Sequence, residues 1–199
     1  MMLLTGCVQD LDIAERAIQR MAEARLFPDL YEAWQDFLYR TERSWEQAER
    51  VLRTKKGFQQ WFKPYADLRK KDALLRFLRQ ARHAETHAVS STVEKPIMLL
   101  FRDKLGRPFS VSQITTTFKD GTLTINVDTP DVFLTYDASV LPTDPKLVRF
   151  KNRGKWYNPP KSHLGNGLQE LHPVIAAKLG LQFYRGFIQE AINKFYKPS

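Results

Sequence analysis

Arg82, His83 and His87 fall within one short run, Arg82-His83-Ala84-Glu85-Thr86-His87, which holds two of the four histidines of the chain. An imidazole is the side chain that gains and loses a proton near neutral pH. A guanidinium forks onto phosphate oxygens and keeps its charge at any relevant pH. Together these groups are the minimum set for cutting RNA without a metal, one moving a proton and the other holding the phosphate. Arg82, His87 and His83 are therefore the candidate catalytic residues.

Their spacing constrains how they act. On an α-helix Arg82 and His87 lie about 140° apart and about 7.5 Å along the axis, so they do not share a face. His83 and His87 do, one turn apart, and Arg76 and Arg79 continue that stripe. Convergence of Arg82 and His87 on one phosphate then needs fraying near Thr86, the reach of the arginine, or a second copy of the helix. Two other chemistries fit less well. Histidines at i and i+4 suggest zinc, but the zincin pattern puts Glu directly after the first histidine, and here Ala84 follows His83. Cys7 has no evident base, and no Gly-x-Ser-x-Gly elbow, Walker or Rossmann glycine pattern is present, so no metal and no cofactor is expected. The bland alternative stays open: solvated side chains on the face of a non-catalytic binding or adaptor protein.

Charge favours a polyanionic partner, and RNA is the one expected. The chain carries a net charge of +9, and a balance of this kind speaks to partners rather than to fold. From Arg53 to Arg82 there are ten basic residues, opposed only by Asp67 and Asp72. Arg69, Lys70, Lys71, Arg76 and Arg79 are the candidate nucleic-acid-binding residues of that window. A second cluster, Lys151, Arg153, Lys155, Trp156 and Tyr157, interleaves charge with aromatic rings. The single cysteine allows no intrachain disulfide. No run approaches the ~20 apolar residues of a membrane span. Leu4-Thr5-Gly6-Cys7 mimics a lipoprotein box but lacks the apolar stretch of about 7–15 residues that a signal needs. A cytoplasmic protein with no membrane partner is expected.

The elements that position these residues read as helices first. Asp10 is a candidate cap for a helix facing inward with Leu11, Ala14, Ile18 and Met21. Pro28-Asp29, with Glu32 three residues on, resembles a capping box before Leu30, Trp34, Phe37 and Leu38. A third helix carries Trp45, Ala48, Val51 and Leu52 and stops by Gly57. Phe58, Trp61 and Phe62 make a short aromatic segment before Pro64, with Tyr65 beyond it, and all are expected to pack rather than stack on bases. Asp72 caps the last helix, whose inner face is Leu74, Phe77, Leu78 and Ala81, with Ala88 continuing it.

After the small-polar linker Ala88 to Thr92 the pattern alternates as strands do. Ile97 to Phe101, Val111 to Phe118, Thr122 to Val127, Val132 to Tyr136 and Leu147 to Phe150 are the expected strands. Asp103-Lys104-Leu105-Gly106 suits a turn, and Lys119-Asp120-Gly121 suits a hairpin. A loop from Asn152 to Leu171, containing His163, leads to a helix opened by Pro173, with His172 as a loop or cap residue. That helix is expected to cover one face of the sheet. The fold class is α+β: a four-helix bundle over 1–90, then a small antiparallel sheet with a C-terminal helix over 95–199.

Arg-x4-His near the end of the last helix of an α-helical bundle resembles the HEPN superfamily of helical ribonuclease and nucleotide-binding domains. The resemblance covers residues 8–90, and Leu30–Phe37 and Asp72–His87 are also similar to stretches of uncharacterised bacterial proteins. It implies a metal-independent endoribonuclease acting as a homodimer, with two motifs meeting in one cleft. Where that family has asparagine or aspartate after the arginine, this chain has His83. The resemblance further implies a toxin or antiphage defence effector, restrained by a protein antitoxin or regulator.

Overall fold

A computed structural model describes residues 4–87, 91–96, 98–102, 105–109, 113–119, 122–128, 137–141, 143–169 and 171–196. The chain is α+β. Five helices, α1 (Thr5–Glu23), α2 (Phe27–Leu52), α3 (Phe58–Lys71), α4 (Ala73–His87) and α5 (Pro173–Tyr196), accompany short antiparallel strand pairs. Two compact units form: residues 1–95 with 145–199, and residues 96–144.

The helical unit follows its apolar spacing, with three corrections. Asp10 does not cap α1, which already starts at Thr5; it lies inside the helix, buried, with Arg40 at 3.2 Å and Arg43 at 3.4 Å. Asp29 makes no side-chain cap, because α2 opens at Phe27 with Pro28 in its first turn. The helices expected around Trp34 and Trp45 are one continuous element. Its hydroxyl residues are satisfied inside the bundle: Thr41 donates to the Phe37 carbonyl at 3.0 Å, and Ser44 to the Cys7 carbonyl of α1 at 3.0 Å. With those donors paired and no glycine or proline in the stretch, nothing interrupts helix propagation.

The aromatic segment is likewise longer than its sequence suggests, running through Pro64 to Lys71. Gly57 stands at its N-cap with φ of 77°, a left-handed conformation that glycine adopts without strain. Trp61, Phe62 and Tyr65 do pack: each has its ring within 6.1 Å of the Phe187 ring of α5. This attraction also explains the largest departure. The C-terminal helix, expected to back the sheet, buries Tyr184, Phe187, Ile188 and Ala191 in the helical core. The expected 95–199 half is therefore divided between the two units. His172 accepts from the Val174 amide at 3.2 Å, capping the helix that Pro173 opens.

In the helical unit β1 (Val93–Glu94) pairs with a later strand, Lys146–Leu147, labelled β7 in chain order. The unit of residues 96–144 contains β2 (Met98–Arg102), flanked by β3 (Pro108–Phe109) and β6 (Asp137–Leu141), and the hairpin β4 (Gln113–Lys119)–β5 (Thr122–Asp128). The two strands pair as the expected hairpin, with Lys119 opposite Thr122. Ala88 to Ser90, Ile97, Asp103-Lys104, Asp120-Gly121 and the expected strand Val132 to Tyr136 lie outside the described residues.

The long loop after Asn152 is anchored. It holds β8 (Phe150–Asn152) paired with β9 (Lys155–Tyr157), and β10 (Ser162–His163) paired with β11 (Asn166–Gly167). Asp72 ties it to the bundle. One carboxylate oxygen accepts from the Leu75 amide at 2.9 Å, capping α4 as expected, and lies 3.0 Å from His163 Nδ1. The other accepts from the Leu164 amide at 2.7 Å. Burial alone would raise the Asp72 pKa, but these donors hold it below the ordinary carboxylate range. That stabilisation is complete above the unfolded value near about pH 4 and is lost as pH falls through the lower folded value. Asp72→Ala should cost about 2–3 kcal/mol in urea denaturation at neutral pH. The deficit should shrink as the buffer is taken to acid.

Candidate nucleic-acid interface

Helix α4 sets the geometry of the site and is held along its whole length. Leu74, Leu75, Phe77, Leu78, Ala81 and Ala84 form its buried side. At mid-helix Gln80 accepts from Asn152 at 2.8 Å, and the Phe77 and Phe150 rings meet edge to face at 5.2 Å. Near the C-terminal end Glu85 is the hub of a network reaching α2. It accepts from the Tyr31 hydroxyl, from Gln35 at 3.0 Å, and from the Thr92 amide and hydroxyl at 2.9 and 2.7 Å. Burial, then Glu85, pushes the Tyr31 phenol up to about 12, so it remains a donor. Trp34 closes the network by donating to the Thr92 hydroxyl at 2.9 Å.

The basic residues of the window separate into two populations. Arg69 is a correction: expected on a phosphate-binding surface, it is 6 % exposed and locked in the core. Its guanidinium pairs with Glu42 of α2, donates to the Tyr184 hydroxyl at 3.1 Å and lies 4.6 Å from the Trp45 ring centre. Burial pushes the Glu42 carboxyl up against the pull of Arg69, and the guanidinium stays charged. A guanidinium so enclosed has no face left for a phosphate. Lys70, Lys71 and Arg76 are exposed, as expected.

Arg79 and Arg82 are half-buried, and the Nε atom of each is buried without a hydrogen-bond partner. Neither lies within ion-pair distance of an acid among the described residues. Their positive charge is felt at Glu42 and, more consequentially, at His83. Burial, followed by Arg82, Arg153, Arg79 and Arg69, holds the His83 imidazole below its ordinary range. At neutral pH that ring is uncharged and able to accept a proton. His87 is the last residue of α4, and its side chain lies outside the described residues.

The structure thus brings Arg82, His83 and Arg79 together and adds Arg153 from the turn between β8 and β9. Arg153 was visible in the sequence as part of a charged aromatic cluster, but nothing in the order of residues placed it beside α4. Glu42 was missed. The signal for it was an acid in the stripe Leu38, Thr41, Glu42, Trp45, where apolar residues are expected. Among the described residues no group of three or more His, Cys, Asp or Glu side chains is placed to hold a metal, and no helix is long and apolar enough to cross a membrane. Comparison of the chain with protein families, curated proteins and solved structures finds no match.

The two populations respond differently to truncation. Arg69→Ala leaves Glu42 in the core without its ion-pair partner and should destabilise the fold by about 3–5 kcal/mol. Lys70→Ala, one residue away, should change stability by no more than about 0.5 kcal/mol. Equal midpoints for the two variants in urea denaturation would contradict the buried placement of Arg69.

Proposed function

We propose that the protein is a metal-independent endoribonuclease whose Arg82, His83 and His87 act on one sugar–phosphate linkage of RNA. The observation that carries this reading is the pair of arginines without an acidic partner, Arg79 and Arg82, beside an imidazole kept neutral first by burial and then by their field. Uncompensated guanidinium groups favour an incoming phosphate, and that phosphate offsets the repulsion they impose on one another.

The reaction follows from those roles. His83 takes the proton of a ribose 2′-OH as its oxygen attacks phosphorus. Arg82 stabilises the charge that develops on the non-bridging oxygens. The bond from phosphorus to the 5′-oxygen breaks, and His87 supplies the proton to that leaving oxygen. The products are a 2′,3′-cyclic phosphate and a 5′-hydroxyl. The part given to His87 comes from its place one turn beyond His83, on the same face of the helix. A homodimer that presents two such helices to one RNA, a cytoplasmic site of action, and a toxin or antiphage role under a protein antitoxin or regulator complete the proposal. These rest on the resemblance to the HEPN superfamily and the RNA substrate.

A second reading has its own support. Lys70, Lys71 and Arg76 are exposed without an ion-pair partner among the described residues, and such a face holds a nucleic-acid backbone without any chemistry. One assay separates the two. Total RNA is incubated in EDTA with wild type, Arg82→Ala and His87→Ala and resolved on a gel. The nuclease reading expects cleavage by wild type and a loss of about 10²–10⁴-fold in either variant. Salt-sensitive RNA binding by all three proteins with no cleavage by wild type would leave the adaptor. Undiminished cleavage by His87→Ala would end the nuclease reading.

A further inference from the structure

A cleft opens beside the first two turns of α4, separate from the Arg82–His83 cluster but on the same stripe of the helix. Arg76 and His83 are about 10.5 Å apart along the axis and nearly aligned around it. One wall of the cleft is Ala73, Arg76 and Phe77; the other runs from Lys155 through Lys161. Its volume is about 670 Å³, within the range of about 300–1,000 Å³ that small-molecule sites occupy.

The lining has a consistent chemistry. Its three charged residues, Arg76, Lys155 and Lys161, are all basic and exposed, and none has an acid within ion-pair distance among the described residues. Between them lies Trp156, with 55 % of its surface exposed. The Arg149 guanidinium sits 4.2 Å from the centre of its indole and favours that ring position. Trp156 lines the cleft and Arg149 does not, so the indole surface exposed there is open to a ligand.

The walls are stiff. Tyr157 stacks on Phe150 at 5.5 Å, and Phe150 in turn meets Phe77 of α4. Pro159 and Pro160 restrict the backbone that follows, and the Lys161 carbonyl accepts from the Leu168 amide at 2.9 Å. A pre-formed cleft of this kind loses little freedom when it is filled.

Such a lining selects a ligand that is both anionic and flat. Three uncompensated cations favour phosphate, and an accessible indole face favours an aromatic ring. A nucleotide of a single strand offers both at once, whereas a duplex keeps its base faces in its own stack. We propose that this cleft holds one unpaired nucleotide of an RNA strand, its base against Trp156 and its flanking phosphates on Arg76, Lys155 and Lys161. The choice of RNA rests on the nuclease reading above. The cleft then positions the strand whose next linkages run along α4 toward Arg79, Arg82 and His83, and it restricts the enzyme to unpaired RNA.

The test avoids cleavage by using His87→Ala in EDTA, with fluorescein-labelled oligouridylate, oligoadenylate and a hairpin duplex read by anisotropy. Saturable binding of both single strands is expected, with the duplex markedly weaker. Adding Trp156→Ala should weaken single-strand binding about tenfold or more, and Trp156→Phe should recover most of it. Adding Lys155→Ala with Lys161→Ala should reduce the salt dependence of binding by the release of roughly one or two counterions. All of these side chains are exposed, and unchanged melting temperatures would confirm that folding is intact. Equal affinity with and without Trp156, duplex binding as tight as single-strand binding, or no saturable binding would each overturn the proposal. The nuclease reading fails separately, when wild type cuts no RNA or His87→Ala cuts it undiminished; the cleft stands or falls on anisotropy alone.

Discussion

The pairing of Glu42 with Arg69 in the middle of the bundle governs how charge is distributed over the rest of the helical unit. Glu42 comes from α2, Arg69 from α3, and the hydroxyl that completes the guanidinium's contacts is Tyr184 of α5. Three helices are therefore committed to one ion pair, and removing either partner would leave the other buried without compensation. The pair also engages the Glu42 carboxylate, whose charge is felt by the arginines of α4. Arg79 and Arg82 are drawn toward the same acid electrostatically yet form no ion pair with it. Arg79 and Arg82 are left without a direct acidic partner, and their charge appears along the polar edge of α4.

The two acids at the ends of α4 are occupied. Asp72 is engaged by the Leu75 and Leu164 amides and by His163 at one end of the helix. Glu85 is engaged by Tyr31, Gln35 and Thr92 at the other. These contacts do two things together. They tie α4 to α2 and to the loop that holds β10, and they leave neither carboxylate in an ion pair with the arginines between them. The basic stripe follows from where the acids are spent.

The parts of this arrangement that were legible in the sequence are the local ones. Apolar spacing located α1, α4 and α5, Asp72 announced its cap, and Lys119-Asp120-Gly121 set the pairing of β4 with β5. The rest depended on contacts between residues far apart in the chain. Arg69 sits in a run of basic residues and reads like its neighbours Lys70 and Lys71; only the presence of Glu42 and Tyr184 separates it from them. The continuity of α2 from Trp34 through Trp45 was not legible, because the carbonyls that satisfy Thr41 and Ser44 belong to the preceding turn and to α1. α5 was assigned to the sheet because a single sequence does not show that Trp61, Phe62 and Tyr65 provide a better apolar face. Of the candidate site, the Arg82–His83 pair was visible, but its electrostatic setting was not, because Arg153 arrives from a hairpin some seventy residues on.

The central claim is that uncompensated arginine charge bears on His83 and that a bound polyanion relieves it. NMR titration of the His83 ring, assigned with His83→Gln, tests this directly, alone and with a saturating oligonucleotide lacking 2′-hydroxyls. The account predicts a free-protein pKa below the ordinary histidine value near about 6.5, rising when the oligonucleotide binds. An unshifted or elevated value in the free protein, or one indifferent to bound nucleic acid, would contradict it.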